Sequence, residues 1–241
     1  MYVKKDKILT IVICCYNGGK YLKECLDSIS KQSFSALPYQ VLFIDDASTD
    51  NSVQILRSNF SILDNVTLIN NKENNGVVNC CNMALGIIDT PYFMRLDSDD
   101  YLSCDALEKI SEELSSSKCM DFIIFGRWDK RNDYLQEVNI SDDIYTWIAS
   151  ATVFSTEAAK KSGGYCHEYW EEYDLYVRLL EDGCKHKTSN CRIYYYRRGH
   201  ASMTNDYNKN KAGIESLKRK WGSRILKKYG NYENILSYYG S

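Results

Sequence analysis

Three carboxylates lie within residues 97–100, directly after a short apolar run. Like charges at this spacing repel one another, and a bound cation relieves the repulsion. Hard divalent cations such as Mg²⁺ and Mn²⁺ prefer carboxylate oxygen. At a strand end, Asp97 and Asp99 point to the same side across the small Ser98, so they can share one ion or an ion with its phosphates. The alternative is a solvated acidic turn, because Asp and Ser are common turn residues.

A second acidic pair, Asp45 and Asp46, follows the apolar run 41–44. A carboxylate at a strand end of a nucleotide-binding fold accepts hydrogen bonds from a ribose or a base. The same pair is also consistent with a simple cap on the turn after the strand. Tyr16 follows another apolar run, 8–14, and is a candidate either for stacking on a base or for the core.

A third acidic group, Glu171, Glu172 and Asp174, opens a segment with helical spacing. Acidic residues in a first turn complement the helix dipole. The functional alternative is a general base, because neighbouring carboxylates raise the pKa of one member. Trp170, beside them, is either an apolar platform for a sugar or a core residue.

Cations follow a tyrosine-rich run near the end of the chain: Arg197, Arg198 and then His200. They form either a clamp on a diphosphate or a solvated basic loop, and His200 is a candidate extra metal ligand. The chain has three histidines and no Cys-x-x-Cys pair, which disfavours a zinc site. It also lacks the Gly-x-Gly-x-x-Gly and Walker A patterns, which disfavours dinucleotide and P-loop folds.

Alternating strand and helix patterns must position these residues. The first hundred residues predict strands at 8–14, 41–44, 66–69 and 92–96, with helices between them at 21–29, 52–58 and 77–88. This alternation predicts a doubly wound, mostly parallel central sheet flanked by helices. Ligands of such sheets bind beyond the carboxyl ends of the strands, so the polar residues that follow three strands are expected to meet in one crevice.

The second half is less regular. It predicts helices at 104–114 and 172–181, strands at 122–125, 148–154 and 192–196, and an irregular region at 127–143. No linker or repeat separates the halves, which favours one compact domain with two lobes. The basic amphipathic segment 214–229 predicts a helix that either docks on the core or lies on a membrane.

Composition narrows the function classes. The 241 residues are 44% hydrophobic with a net charge of −2, which favours a packed core and gives no reason to expect nucleic acid as a partner. The ten cysteines lack disulfide-framework spacing and lie mostly in apolar runs, which predicts buried, reduced thiols. No secretory signal or stretch of about 20 apolar residues is visible. The expected location is the cytoplasm, with peripheral membrane association through the tail as an alternative.

Together these segments resemble the family 2 glycosyltransferases. The matching segments are 11–17, 44–50, 74–76 with Asn82, 96–100, 171–175 with Arg178, and 196–198 with Ser202. Their order and spacing, over residues 8–204, make the resemblance specific. It implies a GT-A fold, with a sugar-nucleotide half at 1–101, an acceptor and catalytic-base half at 102–206, and a helical tail at 207–241.

The resemblance also implies an activity. Family 2 enzymes transfer a sugar with inversion from a nucleotide-diphosphate sugar, here with a UDP-sugar favoured, to an acceptor hydroxyl. The expected cofactor is Mn²⁺ or Mg²⁺ at a DXD motif. The expected acceptor is a glycan or a lipid-linked saccharide in surface polysaccharide assembly. The alternatives from the residues alone are a nucleotidyltransferase, for which 18–20 is a poor triphosphate loop, and a non-catalytic sugar-nucleotide module.

The resemblance assigns roles to individual residues. It places Asp97 near the ribose, Asp99 on the metal and Glu172 as the base, with Glu171 or Asp174 as possible substitutes for Glu172. From the residues themselves, Asp97 and His200 are candidate further metal ligands, and Trp170 is a candidate acceptor contact. The nucleotide-sugar residues are Cys15, Tyr16, Asn17, Asp45, Asp46, Asn75, Gly76, Asp97, Ser98, Arg197 and Arg198. The chain departs from the family where Cys14 and Cys15 replace Pro-Thr, where Cys81 replaces a common Arg, and where Glu172 replaces Asp.

Overall fold

The first four strands form the predicted parallel arrangement. In a computed structural model, residues 7–33, 37–59, 65–117, 119–166, 169–199 and 206–239 are described. The strands are β1 (Leu9–Cys15), β2 (Tyr39–Asp45), β3 (Val66–Asn70) and β4 (Tyr92–Arg95), and the helices between them are α1 (Gly19–Ser30), α2 (Ser52–Asn59) and α3 (Gly76–Ile87).

The strand order is β3-β2-β1-β4, and all three pairings are parallel. The chain moves from β1 to β2 and β3 on one side and then crosses back to place β4 on the other side of β1. Such a switch point leaves a crevice at the carboxyl ends of the two central strands. Here that crevice lies between the ends of β1 and β4.

The same sheet continues into the second half as β4-β8-β6-β9-β5, with β7 paired to β6. These strands are β5 (Tyr101–Leu102), β6 (Phe122–Arg131), β7 (Tyr134–Val138), β8 (Thr152–Ser155) and β9 (His186–Arg198). The helices are α4 (Ala106–Ser116), α5 (Thr156–Lys161), α6 (Glu171–Glu181), α7 (Tyr207–Lys228) and α8 (Asn234–Tyr239). β8 is antiparallel to both of its neighbours, so this part of the sheet is mixed.

Two predictions for the second half were wrong in detail. The region 127–143 is not wholly irregular, because β6 extends to Arg131 and forms a hairpin with β7 through Asn132, whose φ is 49°. The predicted strand 148–154 is a short 3₁₀ turn, Ala149–Ala151, followed by β8. Both differences depend on pairing with distant strands, which local periodicity does not report.

The central strands are buried on both faces, as their continuous apolar runs predict. Ile11 and Ile13 pack on the side of α1, α2 and α4, whereas Val12 packs on the side of α3 and α6. Because successive side chains alternate between faces, both faces of β1 carry a helix layer.

The basic tail docks on the protein core. In α7, Ile214, Leu217 and Leu226 are buried, and the helix is interrupted at Gly222, whose φ is 73°. Of the two predicted alternatives, docking on the core or lying on a membrane, the apolar face of this helix shows docking on the core. Among the described residues, no helix has the length and apolar character needed to cross a membrane.

All ten cysteines are free thiols, as predicted. Their burial is less uniform than expected, because Cys104 and Cys119 are exposed. Both lie on the surface beside α4, where a thiol has no core to enter.

Candidate functional site

A cavity of about 510 Å³ opens at the carboxyl ends of β1 and β4, where the topology predicts a crevice. It brings together nine of the predicted site residues: Tyr16, Asn17, Asp97, Ser98, Asp99, Trp170, Glu171, Glu172 and Arg197. The other lining residues are Cys14, Gly18, Lys20, Tyr21, Val77, Arg95, Ile148, Ser150, Tyr169 and Tyr196. The predicted residues therefore converge from four distant parts of the chain.

A buried arginine that the sequence reasoning missed joins two acidic groups of the cavity. Arg95 Nε lies 2.9 Å from Asp97 Oδ1, and Arg95 Nη1 donates to Glu171 Oε1 at 3.0 Å. An arginine inside an otherwise apolar strand is the available signal, because a buried charge needs a partner. Arg95 thereby connects the end of β4 to the start of α6.

Asp100, to which the sequence assigned no role, holds the acidic loop in place. Its Oδ1 accepts from the backbone N–H of Arg197 at 2.6 Å, and its Oδ2 accepts from the Tyr194 hydroxyl at 2.9 Å. The same hydroxyl accepts from the backbone N–H of Asp97 at 3.2 Å. Burial and the neighbouring Asp99 raise the pKa of Asp100 well above its ordinary value. β9 therefore fixes the loop that presents Asp97 and Asp99.

The donor set at this loop suits a hard divalent cation. Asp97 and Asp99 both line the cavity. Within the described ranges, no group of three or more His, Cys, Asp or Glu side chains surrounds a common metal position. Two carboxylates suffice when substrate phosphates complete the shell, which is the usual mode for Mg²⁺. His200, the third predicted ligand, lies outside the described residues.

The three candidate bases occupy different environments. Glu172 is 9% exposed, lines the cavity and makes no hydrogen bond or ion pair with another described side chain. Burial, reinforced by the charge of Glu171 and opposed by Arg95, raises the pKa of Glu172 to about 8. Glu171 is instead ion-paired with Arg95. A carboxyl without a fixed partner and with a pKa near neutrality suits a general base.

Asp174 faces away from the cavity. Its Oδ1 accepts from Lys220 Nζ at 2.7 Å and from Trp221 Nε1 at 2.8 Å, and its Oδ2 accepts from Arg178 Nε at 2.9 Å. Burial raises its pKa, but these donors, with Lys220 foremost, outweigh burial and lower it. Asp174 therefore fastens α7 to α6, and we do not retain it as a candidate base.

The loop after β1 supplies an exposed aromatic ring and a rigid turn. Tyr16 lines the cavity and is 52% exposed, so it is available for stacking. Asn17, at φ 53°, accepts at Oδ1 from the backbone N–H of Thr49 at 2.8 Å and of Asp50 at 3.2 Å. Asn17 thus ties the β1 loop to the β2 loop. Gly18 allows close approach, because a Cβ there would lie 2.8 Å from Ser98 Oγ.

Six predicted nucleotide-sugar residues do not line the cavity: Cys15, Asp45, Asp46, Asn75, Gly76 and Arg198. Asp46 accepts from Asn71 Nδ2 and from the backbone N–H groups of Asn75 and Gly76, at 2.8 to 3.1 Å. Burial raises the pKa of Asp46, but these hydrogen bonds outweigh burial and lower it. Asp46 therefore anchors the start of α3. Asp45 Oδ1 is buried without a hydrogen-bond partner.

The two predicted arginines, Arg197 and Arg198, lie in different places relative to the cavity. Arg197 lines the cavity, donates from Nε to the Asp99 carbonyl at 2.8 Å and from Nη2 to Glu24 Oε2 at 2.7 Å. Arg198 lies outside the cavity and pairs with Asp129 at 3.0 Å. The acceptor candidate Trp170 is 2% exposed and donates from Nε1 to the Asn210 carbonyl at 3.3 Å, so its ring is mainly part of the wall.

The chain is similar in sequence to known proteins. The sequence profile described as "Glycosyl transferase family 2" matches residues 10–166. Chondroitin synthase of Escherichia coli is 27% identical over 196 residues, which cover 75% of this chain and 28% of that protein. The chain spans less than two fifths of the length of the curated relatives to which it is similar.

Solved structures share the fold. Residues 1–349 of S. aureus TarS in complex with UDP-GlcNAc give a TM-score of 0.75 at 17% identity, covering 96% of this chain and 73% of that one. Mannosyltransferase PcManGT from Pyrobaculum calidifontis in complex with GDP-Man and Mn²⁺ gives 0.65 at 14% identity, covering 98% and 77%. These likenesses confirm the predicted α/β fold of the GT-A type.

Proposed function

The chain belongs to glycosyl transferase family 2, and from that premise we propose that it transfers a sugar from a nucleotide-diphosphate sugar to an acceptor hydroxyl with inversion. The observation that carries the proposal is the single cavity lined by Asp97, Asp99 and Glu172. It combines carboxylates suited to a cation with a carboxyl whose raised pKa suits proton transfer. A UDP-sugar is the favoured donor, in keeping with the UDP-GlcNAc complex of TarS.

We assign the proton transfer to Glu172. Its carboxylate accepts the proton of the acceptor hydroxyl, and the hydroxyl oxygen attacks C1 opposite the leaving diphosphate through an oxocarbenium-like state. Arg95 holds Glu171 and Asp97 on either side, which leaves Glu172 as the cavity carboxyl of α6 without an ion pair among the described residues. Glu172 is therefore able to exchange its proton with a substrate.

The donor side is assigned to the acidic loop and the β1 loop. Asp99 and Asp97 would hold Mn²⁺ or Mg²⁺, which when bound neutralises charge on the leaving diphosphate. Tyr16 would stack on the base, because it is the exposed aromatic ring at this end of the cavity. Asp45 does not line the cavity, and its Oδ1 is buried, so its role as an acceptor for a base or ribose hydrogen bond stays a prediction.

The alternatives gain no support from the geometry. A nucleotidyltransferase needs free backbone N–H groups around its triphosphate, whereas the N–H of Gly19 donates to Asp50 Oδ2 at 2.9 Å. A non-catalytic module gives no reason to place a carboxyl of raised pKa beside the acidic loop.

For the acceptor we propose only a chemical class. A glycan or lipid-linked saccharide in surface polysaccharide assembly fits the Escherichia coli chondroitin synthase among the relatives. Peripheral membrane contact would have to be electrostatic, because the apolar face of α7 is buried while Lys211, Arg219, Arg224 and Lys227 are exposed. Sedimentation with anionic vesicles at low salt that is lost at about 0.5 M salt, where exposed charges are strongly screened, would support this contact.

The proposal is tested by incubating the protein with a panel of sugar nucleotides and Mn²⁺ and measuring nucleoside diphosphate release with and without acceptor. Glu172→Gln should retain donor binding and lose on the order of 10² to 10⁴ in transfer rate, the usual contribution of a general base. Glu181→Gln, at the solvent-facing end of the same helix, is the matched control and should transfer normally. Normal turnover by Glu172→Gln would show that the assigned base is wrong.

A further inference from the structure

Two thiols from different elements meet at the wall of the cavity. Cys14, in β1, lines the cavity and is half-buried, whereas Cys81, in α3, is buried behind it. Their Sγ atoms are 3.9 Å apart. The two residues are 67 positions apart in sequence, so the fold and not the local sequence brings them together.

This separation is that of two thiols in contact and is longer than a disulfide bond. A disulfide needs about 2.0 Å between the sulfurs, so they must approach by about 2 Å. Side-chain rotation and a small shift of α3 toward β1 can supply that movement. Cys80 is the rival partner, but its Sγ already accepts from Asn71 Nδ2 at 3.6 Å, and Asn71 also holds Asp46.

We propose that Cys14 and Cys81 form a peroxide-sensitive dithiol site in the wall of the cavity, and that its oxidation to a disulfide blocks donor binding. The first part stands on the thiol geometry alone. The second part rests on the proposed function, because it takes the cavity to be the donor site. The oxidant class is a peroxide, which is small enough to enter the cavity beside Cys14.

The chemistry balances with one peroxide. One thiolate attacks an oxygen of hydrogen peroxide, and the O–O bond breaks to give a sulfenic acid and hydroxide, which takes up the proton lost by the thiol. The second sulfur then attacks the sulfenic sulfur, and the sulfenic oxygen leaves as water with the second thiol proton. Two thiols and one hydrogen peroxide thus give one disulfide and two waters.

The surroundings favour Cys81 as the thiol that ionises. The hydrogen bond from Cys14 lowers the pKa of Cys81, burial opposes the change, and the positive charge of Arg95 adds to the lowering. Cys14 is the resolving thiol, with a pKa raised by its neighbouring thiols and by burial. The reactive cysteine and its resolving partner then face each other, as redox-sensitive pairs require.

The disulfide would alter the cavity at a sensitive position. Cys14 immediately precedes Cys15 and the loop of Tyr16 and Asn17, and Asn17 ties that loop to the one after β2. Pulling Cys14 toward α3 displaces the wall on which the donor is expected to lie. A bound donor would in turn cover Cys14 and hinder the path of peroxide from the cavity to the pair.

The test treats the full chain with equimolar hydrogen peroxide, maps cross-linked peptides by mass spectrometry and measures UDP-sugar binding and transfer before and after dithiothreitol. We expect a Cys14–Cys81 cross-link, a loss of binding of at least tenfold, and recovery on reduction. After peroxide treatment, Cys81→Ala should retain the activity that the same variant had before treatment. Cys104→Ser, which removes an exposed thiol, is the matched control and should respond like the unsubstituted protein.

Free thiols, a sulfinic acid or a Cys14–Cys80 cross-link under these conditions would overturn the dithiol site. A Cys14–Cys81 cross-link with unchanged donor binding would overturn its link to the donor. If the reduced protein binds none of the sugar nucleotides, the proposed function fails, but the peptide map still decides whether the dithiol site exists. The two failures are therefore distinguishable.

Discussion

Replacing Glu172 by glutamine should stabilise the protein at high pH while it removes transfer. The pKa of Glu172 rises from its ordinary value of 4.5 to about 8, because the carboxylate is buried beside Glu171. A rise of that size corresponds to about 5 kcal/mol of unfavourable free energy for the charged form in the folded state. Glutamine carries no charge, so the variant avoids this cost.

The sign follows from proton linkage. Between about pH 4.5 and 8 the folded state keeps a proton on Glu172 that the unfolded state has lost, so the free energy of unfolding falls as pH rises through this range. Above pH 8 the full cost is present, and below pH 4.5 it is absent. A buried amide without hydrogen-bond partners costs about 1 to 3 kcal/mol. The variant should therefore be about 2 to 4 kcal/mol more stable than the unsubstituted protein at pH 9. At pH 5 the charged form costs only about 1 kcal/mol, so no gain is expected there, and the change between the two pH values is about 4 kcal/mol because the amide cost cancels.

Urea unfolding followed by tryptophan fluorescence at pH 5 and pH 9 measures this difference, because groups remote from Glu172 titrate in the same way in both proteins. Glu171→Gln is the matched control, and it should lose stability at both pH values because it leaves Arg95 short of a partner. If the gain of Glu172→Gln is the same at pH 5 and pH 9, Glu172 does not carry the raised pKa and the reasoning is refuted.

Other consequences are equally direct. Transfer should rise about tenfold per pH unit below pH 8, because the deprotonated Glu172 is the form that accepts a proton; a flat rate from pH 6 to 9 would contradict this. Arg95→Met should cost about 3 to 5 kcal/mol in thermal unfolding, because it leaves Asp97 and Glu171 without their shared cation. Asp99→Ala should abolish Mn²⁺-dependent UDP binding in calorimetry, and unchanged affinity would exclude Asp99 as a metal ligand. Asp174→Asn should lower the free energy of unfolding by about 2 kcal/mol, because it weakens two charged contacts, yet keep UDP affinity.

Much of the scaffold was predictable because its signals are local. Apolar runs such as Leu9–Cys15 alternate with segments whose apolar residues recur at helical spacing. β-branched residues in continuous apolar runs indicate strands that are buried on both faces. The hairpin of β6 and β7 was missed, because its second strand is largely exposed and carries no apolar face.

The site was predictable in outline but not in its division of labour. Nine of the assigned residues reach the cavity. Tyr16, Asn17 and Asp97–Asp99 do so because residues that follow parallel strands emerge at one edge of the sheet. Asp46 and Arg198, which were assigned to the ligand, contact Asn71 and Asp129, and these partners come from other elements. Residue type alone does not distinguish a ligand contact from a structural one.

By itself, the sequence determined where the acidic groups lie: at the ends of β2 and β4, with a third group at the start of α6. Only the tertiary structure decided which carboxyl does what. Arg95 donates a hydrogen bond to Glu171, which lies 76 positions later in the sequence, and donors from α7 bind Asp174. Glu172 is left facing the cavity. The physical reason is that the pKa of a carboxyl depends on its burial and its charged neighbours, and those are set by contacts between segments far apart in the chain.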